Sequence, residues 1–578
     1  MLETTFRTTG IIFFLLWFTI FLSYGQEKKV AGAGYSVVEE LDVKVEMRDG
    51  VRLSTNIYRP DAPGRFPVLL TRTPYGNGGK GNRFAHYFVN RGYAVVTQDT
   101  RGRYESEGVF DALQSEAPDG YDTQQWIGKQ PWCNGKIGTY GGSYVGFTQW
   151  ISSPLQSPYL IAMMPSITFT DFHDEVYQNG VFRLELWGLW SYEMTTPFNC
   201  VLDSIIKQPN DILMTLPLID QDKKLGWKVP FLRDWLLHPE HDRYWDRTCI
   251  GDGYPRINAS ACNIGGWYDI FLKATIANYI KMTSPSILPE IRKKQKLLIG
   301  PWVHNLGKRK VGDLDFGESA ELNEMVMMKQ WFDNQLKGID NGILDEPPVK
   351  IFVMGENRWR YENEWPLART DYQKFYFHSG GNANTLSGNG SMDTIPSNDP
   401  KADRYIYDPE NPVPTIGSMG PYDQRPVETR NDVLIYDTNP LLEDVEVTGP
   451  VNAVVYASSS AKNTDFTAKL VDVYPDGRAI RICEGIIRAD HRNPSFPPSN
   501  IEPGKIYEYK IDLWATSNVF KKGHKIRVEI SSSNFPRFDR NLNTGNYFAT
   551  DTTLVKAEQI IYHNAEYPSA IVLPIIRK

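Results

Sequence analysis

The sequence predicts an α/β domain interrupted by a helical insertion and followed by an all-β domain. Short, largely apolar runs at residues 66–71, 93–99, 257–265 and 296–300 have the texture of strands buried on both faces of a mostly parallel sheet. Residues 171–250 are rich in Trp, Leu and Met at helical spacing, lack strand alternation, and are broken by Pro197, Pro209, Pro217 and Pro230. From about residue 372 helix signals disappear and short alternating strands recur, as at 375–377, 451–457, 467–473, 506–513 and 525–530. A chain of 578 residues exceeds what one hydrophobic core supports. It therefore divides into an α/β domain in two parts (36–170 and 251–371), a helical cap (171–250) and a β sandwich (372–578).

Taken in order, residues 11–22 are an apolar run too short to cross a bilayer, preceded by Arg7 and followed by Ser23-Tyr24-Gly25. That is the layout of a secretory signal cut after Gly25 (1–25), so the mature protein is expected to be exported, periplasmic or secreted, without stable membrane insertion. Glu3 offsets Arg7, and an uncleaved anchor is the alternative. Residues 43–47 and 51–58, joined by Asp49-Gly50, read as a hairpin. Residues 119–128 read as an amphipathic helix with a solvated acidic face, and 136–140 as a short strand running into a turn and a helix over 144–151. The run 349–354 reads as the last strand of the sheet, and 380–399 as a Gly/Asn/Ser-rich surface loop.

The charge balance of 62 basic and 69 acidic residues, net −7, gives no basic face for nucleic acid. Five cysteines, Cys133, Cys200, Cys249, Cys262 and Cys483, are too few for a disulfide scaffold, and none stands in a Cys-x-x-Cys pair that would signal zinc or dithiol chemistry. A pairing such as Cys200 with Cys249 cannot be read from spacing. No metal or organic cofactor is called for.

The chemistry centres on Gly141, Gly142, Ser143, Tyr144, Val145 and Gly146. Between a strand and a helix, Ser143 falls on a nucleophile elbow that exposes its hydroxyl beside the free N–H groups of a helix N-terminus. The usual spacing is G-x-S-x-G, and here the second glycine comes one place late. Around it stand Asp99-Thr100-Arg101-Gly102-Arg103, Gln130-Pro131-Trp132-Cys133-Asn134-Gly135, Gly265-Gly266-Trp267-Tyr268-Asp269, Gly300-Pro301-Trp302-Val303-His304 and Asn534-Phe535-Pro536-Arg537. Order and motifs together resemble the X-Pro dipeptidyl peptidase and cocaine esterase type of serine hydrolase, with which the α-amino acid ester hydrolases and glutaryl-cephalosporin acylases are grouped. The resemblance covers nearly all of the mature chain, and the displaced glycine is expected within it.

A serine hydroxyl needs a base in reach and an acid that orients the base. His304 and Asp269 both follow predicted strands and complete the α/β-hydrolase order Ser, Asp, His, which the family motifs match residue for residue. The resemblance makes the Tyr75 hydroxyl and the Tyr144 backbone N–H the oxyanion hole and the β sandwich a jelly roll. Trp187, Trp190 and Phe271 are candidates for the substrate pocket, and Asp174 and Glu175 for an ammonium site within it. The expected partner is a small ester, an amide or a short peptide, with homo-oligomerisation left open. Three functions follow: a hydrolase of acyl esters or amides, an X-Pro dipeptidyl peptidase or α-amino acid ester hydrolase, and a non-catalytic binding protein on a hydrolase scaffold.

Overall fold

The computed structural model describes residues 34–196 and 209–577. The expected signal segment and Cys200 lie outside them. A 10-stranded sheet contains strands β1 (Val37–Glu46), β2 (Arg52–Pro60), β3 (Phe66–Thr73), β4 (Ala94–Asp99), β5 (Cys133–Gly142), β6 (Leu160–Ser166), β7 (Ser260–Gly266), β8 (Lys296–Gly300), β9 (Val349–Val353) and β10 (Arg358–Glu362). Their order is β1-β2-β4-β3-β5-β6-β7-β8-β9-β10, and every pairing from β4 to β9 is parallel. Alternate residues serve opposite faces. Leu69 and Val95 join the core of helix α1 (Arg83–Val89), whereas Val68, Leu70 and Val96 pack on Ile127 of helix α2 (Glu116–Gly128). Near-continuous aliphatic strands buried on both faces are what such a sheet demands.

The sheet does not end at β9. Strand β10 pairs antiparallel to it after a turn at Gly355, where φ is +80°. Its sequence, Arg-Trp-Arg-Tyr-Glu, is a half-exposed edge and carries no aliphatic run for a sequence reading to find.

Between β6 and β7 the inserted segment is mainly helical, with α4 (Phe172–Val176), α5 (Leu184–Thr195) and α6 (Pro230–Leu237). It also holds a minimal hairpin, Tyr177–Gln178 with Val181–Phe182, which the expected absence of strand pairing overlooks. Its turn is Asn179-Gly180 with φ of +50° and +82°, the backbone a two-residue hairpin turn requires. Phe172, Trp187, Trp190, Trp235 and Trp245 are buried with Phe147 and Trp150 of helix α3 (Tyr144–Ser152) in one aromatic core. Rigid rings in mutual edge and stacked contact hold this segment over the sheet.

Residues beyond 370 form an 11-stranded sheet with its own core, around residues such as Phe377, Tyr405, Phe466 and Ile511. Departures from the sequence reading include a four-residue helix, Arg425–Glu428, a helical turn at Ala489–His491 and, within the expected surface loop, a short strand, Ser391–Asp393. Met354 hydrogen-bonds Ser517 and Val519 through the backbone, and Arg360 forms a bidentate pair with Glu446, so the two sheets are joined directly. The inserted segment is clamped too, because Glu185 N–H donates to Pro536 O and Phe182 N–H to Asp539.

Candidate active site

Ser143 stands between β5 and α3 with φ 58° and ψ −129°, a backbone that costs about 1–3 kcal/mol for a residue with a side chain. Five hydrogen bonds hold it there. Its N–H donates to Ser166 O and Ile167 O, and its carbonyl accepts from Gly146 N, Phe147 N and the Thr168 hydroxyl, the last at 2.7 Å. The backbone N–H of Tyr144, first in the helix, has no acceptor among the described residues and lies next to the Ser143 side chain.

Strands β5 and β6 end level, Gly142 beside Ser166, as do β7 and β8, Gly300 beside Gly266, with Ser166 pairing Ile264 two residues before the end of β7. The segments that carry Ser143, Asp269 and His304 therefore leave the sheet at one edge. Gly266 makes the approach possible, since a Cβ there would sit 2.1 Å from Trp302 O. Instead the backbones bond, Trp267 N–H to Gly300 O and Tyr268 N–H to Trp302 O. The outcome is that Asp269 Oδ2 lies 2.6 Å from His304 Nδ1. Asp269 is fully buried, and its other oxygen accepts from Phe271 N–H at 2.8 Å.

Tyr75 follows β3 in a loop fixed by Arg103, which donates to Pro74 O, and by Tyr104, whose hydroxyl donates to Tyr75 O. Its ring lies 6.4 Å from that of Tyr144. Trp190 Nε1 donates to the Tyr75 hydroxyl at 3.1 Å, so in that contact Tyr75 is the acceptor. Burial pushes the Tyr75 pKa well above its ordinary value, which keeps the hydroxyl a donor. The Tyr144 ring is set in place from the other end, its hydroxyl donating to Glu116, which pairs with Arg72.

The predicted pocket residues separate into two groups. Trp190 touches Tyr75, Phe271 meets the His304 ring edge-on at 5.3 Å, and Trp187 contacts both of them. The two carboxylates are engaged differently from the ammonium role considered for them. Asp174 points outward with 72% of its side chain exposed, beside His173. Glu175 is buried in an ion pair with Arg183 at 2.5 Å. That arginine also donates to Ile270 O and lies 5.8 Å from the Phe271 ring centre, so it grips the two residues that follow Asp269. Burial of the pair raises the Glu175 pKa to about 7 against the pull of Arg183. Sequence reasoning missed Arg183, because nothing in Phe182-Arg183-Leu184 signals a partner eighty-seven residues away.

Comparison with known proteins bears on what this arrangement does. Residues 49–305 match the family described as X-Pro dipeptidyl-peptidase (S15 family), and residues 341–572 its C-terminal non-catalytic domain. The chain is 39% identical to the cocaine esterase of Rhodococcus sp. (strain MB1 Bresler), across 94% of this chain and 99% of that one. It belongs to the X-Pro dipeptidyl-peptidase (S15) family. Two solved structures are similar over nearly their full lengths. One is an aminopeptidase from a marine sediment Thaumarchaeota archaeon, with a TM-score of 0.81 and 26% identity over 96% of this chain and 99% of that one. The other is an α-amino acid ester hydrolase, with a TM-score of 0.79 and 26% identity over 95% and 98%. This S15-family chain is a hydrolase, and its α/β domain with helical insertion and β-rich C-terminal part is the architecture those structures share.

Proposed function

We propose that the protein hydrolyses small acyl esters or amides through an acyl-enzyme on Ser143, with His304 as base and then acid and Asp269 as the carboxylate that orients it. The observation that carries this reading is the 2.6 Å contact of His304 Nδ1 with a fully buried Asp269, at the strand edge where Ser143 stands on a strained elbow. Ser143 Oγ attacks the carbonyl carbon as its proton passes to His304 Nε2. The tetrahedral oxyanion takes hydrogen bonds from the Tyr75 hydroxyl and the Tyr144 N–H, interactions at full strength only when the charge has developed. His304 then protonates the leaving group, and water repeats the sequence to release the acid. A binding protein would have no use for an elbow that costs backbone strain.

Substrate preference follows from the residues after Asp269 and from the two carboxylates of the inserted segment. Ile270, Phe271 and Leu272 are apolar and buried, Glu175 is committed to Arg183, and Asp174 faces solvent. A desolvated ammonium set against this wall has no counter-charge from these residues. Apolar or N-blocked acyl groups are therefore the proposed substrates, in preference to free α-amino acid esters or X-Pro peptides. The expected result is at least a tenfold higher kcat/KM, about 1.4 kcal/mol, for an N-acetylated amino acid p-nitrophenyl ester over its free-amine counterpart. A tenfold preference for the free amine or for an X-Pro-p-nitroanilide would overturn it. Fluorophosphonate labelling of Ser143 tests the nucleophile separately. Export and a jelly-roll topology are part of the proposal, supported by the apolar run at 11–22 and by the family resemblance respectively.

A further inference from the structure

Outside the catalytic region, three side chains with metal-binding chemistry converge from segments far apart in the chain. Asp171 is the residue before α4, whereas His241 and Cys249 follow α6. Asp171 Oδ2 lies 2.9 Å from Cys249 Sγ and 3.1 Å from His241 Nε2, and the three candidate donor atoms fall within 4.8 Å of one another. We propose that Asp171, His241 and Cys249 are the protein ligands of a zinc site that ties the start of the inserted segment to its end.

The donor set selects the ion. One sulfur, one imidazole nitrogen and one carboxylate oxygen suit borderline-soft Zn²⁺, with water in the fourth position of a tetrahedron. Calcium and magnesium ask for six or more oxygens and have no use for the thiol. Zinc bonds of 2.0–2.3 Å in a tetrahedron separate neighbouring donors by about 3.3–3.8 Å, so the Asp171–Cys249 contact needs to open by roughly half an ångström and the Asp171–His241 contact by roughly a quarter. The side chains have that latitude, as His241 is 41% exposed and Asp171 27%. At present the Cys249 thiol donates to Asp171. On binding, zinc takes the place of that proton, which leaves to solvent.

The surroundings are built for this ligation. Asp171 and Cys249 face each other across an isolated antiparallel bridge, reinforced by Ile250 N–H to Thr170 O at 2.9 Å, so backbone holds two of the three donors in place. Asp171 uses Oδ1 to accept from Asp174 N–H, which leaves Oδ2 toward the other ligands. Gly251 N–H donates to Cys249 Sγ at 3.3 Å, which fixes the direction of the sulfur. The next residue, Phe172, packs on Trp187 and Trp235 at 4.7 and 4.9 Å, so a cation at Asp171 would brace the aromatic core from outside.

The test uses tag-free, chelator-stripped full-length protein titrated with Co²⁺ as a spectroscopic stand-in, followed by competition with Zn²⁺ and melting with and without Zn²⁺. The expected result is one Co²⁺ per chain with a thiolate-to-cobalt charge-transfer band, displaced by Zn²⁺, and a raised Tm. Cys249→Ser should abolish the band, and His241→Ala should weaken binding at least tenfold. Asp171→Asn keeps a capping oxygen for α4 and should also weaken binding at least tenfold, which separates ligation from folding. Absence of a charge-transfer band in the wild-type protein, variants that bind as the wild type does, or a Cys200–Cys249 disulfide found by mass spectrometry would each overturn the site.

Discussion

Replacing Asp269 by Asn tests the proposed triad most sharply, because the structure dictates how the amide must sit. One carboxylate oxygen accepts from Phe271 N–H at 2.8 Å and the other from His304 Nδ1 at 2.6 Å, and the carboxylate itself is fully buried. If the new carbonyl faces Phe271 N–H, its NH₂ faces His304 and holds Nδ1 as an acceptor. The proton then resides on Nε2, the atom that must accept from Ser143. If the amide flips, the carbonyl satisfies His304 but NH₂ opposes Phe271 N–H, which leaves buried donors unpaired at a cost of about 1–3 kcal/mol. The first orientation wins, and it is catalytically wrong. The same tautomer fault in the serine protease triad lowers turnover about 10⁴-fold, which corresponds to about 5.5 kcal/mol of barrier. Steady-state hydrolysis of a p-nitrophenyl ester, with circular dichroism to establish an unchanged fold, should show kcat down by 10³–10⁴. A rate within tenfold of the parent would refute Asp269 as the orienting acid.

Three further outcomes are expected. Tyr75→Phe should lower kcat by roughly 10²–10³ with little change in KM, since the hydroxyl acts on transition-state charge; a raised KM at constant kcat would make Tyr75 a pocket wall. Glu175→Gln leaves Arg183 buried without its counter-charge and should cost about 3–5 kcal/mol in urea unfolding; unchanged stability with altered substrate preference would return Glu175 to the pocket. Glu484 is buried between Arg481 and Arg537, and although burial pushes its pKa up, the two cations hold it at about 2. Its folded value lies below the ordinary 4.5, so its contribution is fully present above about pH 4.5 and is lost as pH falls toward 2. That is worth up to about 3 kcal/mol, and Glu484→Gln should flatten the fall of Tm between pH 5 and 3. An acid limb identical in slope to the parent's would rule Glu484 out.

What the sequence disclosed depended on the range of the cause. Ser143, Asp269 and His304 were legible because each follows an apolar strand, and chain order then restricts which histidine and which carboxylate can reach the elbow. The parallel strands were legible for the same reason, as burial on both faces leaves aliphatic runs. Strand β10 was not, because an edge strand with one wet face tolerates Arg-Trp-Arg-Tyr-Glu. The hairpin at Asn179-Gly180 carried its turn signal openly, but strands of two residues are too short to show alternation. Beyond the Asp269–His304 pair, the long-range polar contacts of the site and the insert left no trace. Arg183 with Ile270, Trp190 with Tyr75, and Asp171 with His241 and Cys249 are pairings that only the fold creates.

The displaced glycine of the elbow belongs with these, and its cause is steric. A Cβ on Gly146 would lie 2.6 Å from Thr168 Cβ, so position 146 is where α3 meets the segment leaving β6. Thr168 cannot simply withdraw, because its hydroxyl holds the Ser143 carbonyl at 2.7 Å. Position 145 faces the other way, and Val145 folds back over Gly141. A Cβ on Gly141 would be 2.3 Å from Val145 Cγ1, and its φ of +123° suits only glycine. The two departures from the usual spacing are thus one packing solution. Valine at 145 requires glycine at 141, and the contact that usually excludes a side chain two places after the nucleophile has moved one residue on, to 146.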